Sequence, residues 1–181
     1  MADTANETSS EQGASTETGG EVLFYHMTRS PLEATLPTLL QKSLEAGWKV
    51  CVRGTDAKRI DWLDERLWTT TDDGFLPHGK AGGLHEVDQP VLLTTDAEIP
   101  KGTPNAANAL ISVDGASVSR EEMTTLTRVS ILFDGNDPDA VAHARSQWKE
   151  VVAAGCTAKY WSQESGRWEM KVSTQGAESE D

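Results

Sequence analysis

Cysteine is scarce: the 181-residue chain holds two, Cys51 and Cys156. Neither belongs to a CxxC pair or stands beside a histidine cluster, which argues against a zinc site and against a disulfide framework. Each sits in an apolar, strand-like run, where a buried thiol in a reducing cytoplasm is expected. The four histidines are scattered, and His78 and His85 share a loop with no ligands around them, so neither a metal nor a cofactor is expected.

Glycine is missing where a dinucleotide site would need it. After the first apolar run the chain reads VLFYHMTRSP, with no glycine to let the backbone approach a pyrophosphate. No Ser/His/Asp or paired-carboxylate arrangement can be placed, so no catalytic residue is assigned. Long apolar runs are absent as well, none being sufficient to span a bilayer. The N-terminus lacks the basic start and apolar run of a secretory signal and the Arg-rich pattern of a transit peptide. A soluble, cytoplasmic protein without membrane contact is expected.

Positive charge is absent from both ends. Residues 1–21 carry Asp3, Glu7, Glu11, Glu17 and Glu21, and residues 173–181 carry Glu178, Glu180 and Asp181, with no Lys or Arg in either stretch. Setting these acids aside reduces the net charge from −13 to about −5. Strong direct binding to a nucleic-acid backbone is therefore not expected of the domain as a whole, while a local basic patch for an acidic protein segment is compatible with it. Residues 1–20 have too little apolar surface to offset the entropy of ordering them. They read as a disordered acidic extension, 173–181 as a disordered acidic tail, and 21–172 as a single α/β domain.

Within that domain, EVLFYHM (21–27) is a β-rich run. Ser30 then offers an N-cap and Pro31 a first helical position, ahead of Leu32, Leu36, Leu39, Leu40 and Leu44 at helical spacing. Gly47 closes that helix, WKVCVRG is a second strand, and Asp56 caps a helix with Ile60, Leu63 and Leu67 on one face. This alternation is the pattern of a right-handed parallel βαβ unit. Thr69 to Gln89 reads as a long loop, and 91–95, 109–115 and 127–135 as strands with a Pro/Gly/Asn-rich connection at 99–108. Asp137 and Pro138 open a helix that Gly155 ends, and TAKYWSQESGRWEMK gives two strands around a turn at Glu164 to Gly166. The expected architecture is Rossmann-like and three-layered, a mostly parallel sheet flanked by helices.

Gly74, Gly79 and Lys80 have the G-x-x-x-x-G-K spacing of a phosphate loop. The chemistry that spacing serves needs a strand before it, a helix after it and a hydroxyl beside the lysine for magnesium. Here a helix end precedes, two glycines and a proline follow, and the neighbour is Ala81. A small nucleotide-binding Rossmann-like enzyme, or a helicase-like remnant using the Gly74–Lys80 loop, is thus the second reading rather than the first. Trp68, Phe75, Leu76 and Pro77 place large apolar groups around the same loop, either folded over a sheet edge or presented to a partner. On the late helix, Arg145, Trp148 and Lys149 stand at i, i+3 and i+4 and share a patch. An indole between two cations suits a ligand that is both acidic and hydrophobic, or else the indole packs inward while the cations reach solvent.

The run LDERLWTTTDDGFLPHG, with FYHMTRSPLEATLPTLL before it and FDGNDPDAVAHARSQWK after it, resembles the chi subunit family of bacterial DNA polymerase III across about 22–172. The LDxxLW…FxPH signature is its most specific part. The resemblance implies a Rossmann-like fold with no nucleotide site and no catalysis of its own. It implies a place in the replisome, joined to the clamp loader through the psi subunit and reaching DNA only indirectly. It further implies that the protein grips the acidic C-terminal tail of single-stranded-DNA-binding protein, which ends in aspartates followed by Pro-Phe. Arg145, Trp148 and Lys149 match the tail-binding positions, with Trp148 standing where some members carry Tyr. Trp68, Phe75, Pro77 and His78 match the surface facing psi. The acidic N-terminal extension departs from the family pattern.

Overall fold

The inner strands of this chain read as near-continuous apolar runs because the fold covers them on both faces. In the computed structural model, residues 20–69, 76–95 and 105–174 are described. Strand β1 (Glu21–Met27) leads into helix α1 (Leu32–Glu45), then β2 (Val50–Gly54) and α2 (Ala57–Thr69). A two-residue strand β3 (Gly79–Lys80) and a 3-10 turn (Glu86–Asp88) precede β4 (Val91–Thr95) and β5 (Ala109–Ser112). The chain continues through α3 (Arg120–Thr125), β6 (Arg128–Asp134), α4 (Pro138–Ala153), β7 (Thr157–Ser162) and β8 (Glu169–Ser173). These strands form one sheet in the order β3-β4-β2-β5-β6-β1-β7-β8. Every pairing is parallel except β7 with β8.

Period-two alternation sends successive strand residues to opposite layers. Val50 and Val52 join Leu36 and Leu40 of α1 and Ile60, Leu63 and Leu67 of α2 in one core. Cys51, between them, joins the other core with Phe24, Val129, Phe133, Met123 of α3, and Ala144 and Val151 of α4. Both cysteines are free and buried, and burial pushes the Cys51 thiol up to about 12. Among the described residues, no helix is long and apolar enough to cross a membrane.

Four details differ from the expectations. The segment β1–α1–β2 does return a parallel strand to the same sheet, but β6 and β5 lie between β1 and β2. Helix α1 begins at Leu32, with Pro31 in extended backbone at the N-cap and no side-chain cap. The Ser30 hydroxyl instead accepts a hydrogen bond from Gln163 Nε2 (3.0 Å), whose Oε1 accepts the backbone N–H groups of Thr28, Arg29 and Ser30. Gln163 therefore ties the β7–β8 hairpin to the entry of α1. Residues 69–89 are not uniformly loop, since Gly79–Lys80 pairs with β4 and Lys80 Nζ donates to Asp61 Oδ1 at 2.8 Å. Finally, α3 was not foreseen. A reciprocal capping box between Ser119 and Glu122 starts it, and Glu122 also receives two bonds (2.9 and 2.5 Å) from the buried Arg53 guanidinium. Helix α4 starts as expected, with Asp137 Oδ1 accepting from the Asp139 N–H and Pro138 at its first position. Residues 1–19, 70–75, 96–104 and 175–181, and with them nearly all of both acidic end segments, lie outside the described residues.

Candidate functional site

Helix α4 turns Ala144, Gln147 and Val151 into the sheet and leaves Arg145 and Lys149 at the surface. Trp148 sits on the boundary between the two faces. Its ring meets Phe24 edge-on at 5.2 Å between centroids and approaches Tyr160 of β7 at 6.1 Å. The indole packs on the core and also lines a cleft. That cleft, about 340 Å³, is bounded by Phe133 of β6, by Val141, Ala144, Arg145, Trp148 and Lys149 of α4, by Tyr160, and by Val172 of β8.

The walls are held from behind. Tyr160 Oη shares a 2.8 Å hydrogen bond with His26 Nδ1, and the His26 ring stacks on Phe133 at 5.2 Å and 13°. Gly135 packs directly against that histidine; a Cβ there would fall 1.9 Å from the ring, so this position has room only for glycine. Burial raises the Tyr160 hydroxyl above the ordinary phenol value, assisted by Glu164 and opposed by the nearby Arg145 charge. Tyr160 thus stays a neutral, fixed wall at physiological pH. Among the described residues, Arg145 and Lys149 have no hydrogen bond or ion pair. Chemically, the site is an apolar slot of aromatic walls lined also by two cations that are unpaired among the described residues. Such a slot can take a ring or aliphatic group while the cations hold carboxylates.

The other group of expected residues is distributed differently. Trp68, at the end of α2, is 54% exposed and lies over His78 at 4.6 Å between centroids. His78 itself is buried: Nδ1 is 2.7 Å from the Leu76 carbonyl, and Nε2 lies 3.3 Å from both the carbonyl and the Oδ1 of Asp64. Pro77 is half-buried, and Phe75 and Gly74 lie outside the described residues. Around this loop, then, Trp68 is presented to solvent while His78 supports it from beneath.

A crevice of about 800 Å³ opens at the carboxyl ends of β1, β5 and β6, where Rossmann-like sheets bind nucleotides. Its lining carries Glu33, Asp114, Asp134 and Asp137 against Arg29 and Arg59, and Arg59 is already paired with Asp114 at 3.0 Å. That excess of carboxylates disfavours a phosphate.

Sequence reasoning missed His26, Phe133, Tyr160 and Val172. They lie on strands β1, β6, β7 and β8, and only the sheet order brings them to α4. A family model described as DNA polymerase III chi subunit, HolC, matches residues 20–159. The chain is also similar to a protein of Rickettsia prowazekii (strain Madrid E) described as probable DNA polymerase III subunit chi. The two are 23% identical over 116 residues, covering 61% of this chain and 68% of the relative.

Proposed function

This chain belongs to the DNA polymerase III chi subunit family, and from that premise we propose that it links the clamp loader to single-stranded-DNA-binding protein by gripping that protein's acidic C-terminal tail. It does so without catalytic chemistry of its own. The observation that carries this reading is the cleft beside α4, in which two cations without a hydrogen bond or ion pair among the described residues flank an aromatic slot. The tail's terminal Phe enters the slot, while Arg145 and Lys149 hold its aspartates and end carboxylate. Arg145 has the fork geometry to hold a carboxylate with two bonds, whereas Lys149 acts as a point charge. A few charge-assisted bonds and one buried ring give an affinity of about micromolar, weakening as salt screens the charges.

The exposed Trp68 and the half-buried Pro77 form the docking face for psi or another clamp-loader subunit, and the sequence assigns Phe75 to the same face. Half-exposed indoles over a fixed support are frequent interface anchors. The protein's acidic termini compete weakly for the same cations. The test is capture of purified single-stranded-DNA-binding protein on the immobilised chain, in full-length form and without its last residues. Retention of the full-length form alone supports the reading; equal retention or none contradicts it.

A further inference from the structure

The cleft's outermost wall lies outside the region that the family match covers. The match ends at residue 159, while Tyr160 and Val172 complete the lining from β7 and β8. These two residues are direct partners in the antiparallel register, with an irregularity just beyond them at Trp161. Val172 remains 51% exposed although it is branched and apolar. The ring beside it cannot swing away to cover it, because Tyr160 is tethered to His26 and lies against Trp148 and Phe133. Val172 therefore presents an uncovered methyl face to a slot whose other sides are fixed.

We propose that Val172 is a specificity-determining residue of this cleft: it closes the slot on the sheet-edge side and selects ligands whose last side chain is a large ring. This rests on the tail-binding reading above and extends it to a strand the family match does not include. Arg145 and Lys149 act on the ligand's charge and are indifferent to the size of its last side chain. Val172 carries no charge and acts only on that side chain, by removing its surface from water and closing the gap around it. The two contributions are separable by varying the ligand.

The experiment is a double-mutant cycle by calorimetry on the full chain, with two synthetic peptides, DDDAPF and DDDAPA. Val172→Ala weakens DDDAPF about fivefold and DDDAPA less than twofold. Val172→Thr, which keeps the branched shape, gives an intermediate loss with the same preference for the ring-ended peptide. Val172→Asp weakens DDDAPF by about thirtyfold, because its carboxylate repels the ligand's acids and competes for Arg145 and Lys149. A merely structural role for Val172 would weaken both peptides alike. If the losses are equal for the two peptides, or absent, while Arg145→Ala still weakens binding, the assignment of Val172 falls and the tail-binding reading stands. If the unaltered chain binds neither peptide, both fall.

Discussion

The cleft beside α4 and the end of α2 each pair a tryptophan with nitrogen-bearing side chains, yet the fold uses the two groups in opposite ways. At α4 the indole is packed and, among the described residues, the two cations make no hydrogen bond or ion pair, which leaves them open to the ligand proposed above. At the end of α2 the indole is exposed and His78 is committed to Leu76 and Asp64, so the polar group is scaffold and the ring faces outward. The difference separates residues that meet a partner from residues that position them. Phase along the helix decides it in the first case, and hydrogen-bond satisfaction in the second.

The comparison can be broken most forcefully at His78. His78→Ala strands the Leu76 carbonyl and leaves a cavity beneath Trp68, and a loss of about 2–4 kcal/mol is expected in urea unfolding. A loss below about 0.5 kcal/mol, with docking impaired, would make His78 a contact residue and erase the contrast. Trp148 should show both characters at once. Trp148→Ala should lower stability by about 2 kcal/mol through its contact with Phe24, and weaken an acidic, Phe-ended peptide by more than about tenfold. Trp148→Tyr should retain most of both. Lys149→Ala, acting on charge alone, should reduce peptide affinity about threefold at low salt and hardly at all at high salt. A salt-independent loss would assign it a packing role. Removing residues 1–19 or 175–181 should change affinity least, by about twofold or less in the direction of tighter binding. No change on removing either segment would show that the acidic ends do not reach the cations.

The same contrast explains what was legible in the sequence. Helix α4, its Asp137–Pro138 start and the patch of Arg145, Trp148 and Lys149 follow from capping chemistry and 3.6-residue periodicity, both local properties. The apolar strand runs were legible for the same reason. The sheet order was not, because β1 pairs with β6 and β7 across long stretches of chain and no local pattern encodes that. Phe133, Tyr160 and Val172 therefore read as ordinary strand residues until the topology brings them against α4. Ser30 was misassigned as a cap because its actual partner, Gln163, lies 133 positions away. Helix α3 escaped notice although Ser119-x-x-Glu122 is a capping-box spacing, because its six residues are too few to show a periodicity. Of the phosphate-like spacing, Lys80 is paired with Asp61 on a sheet edge, while Gly74 lies outside the described residues.

The central claim is that Arg145 is a ligand-holding cation and not a structural one. Titrating a DDDAPF peptide into the full chain and into Arg145→Ala by calorimetry, with thermal unfolding of both forms alongside, tests it most directly. The account predicts binding of about micromolar affinity that falls about thirtyfold in the variant, with unfolding unchanged. Equal affinity in the two forms, or no binding by the unaltered chain, would contradict it.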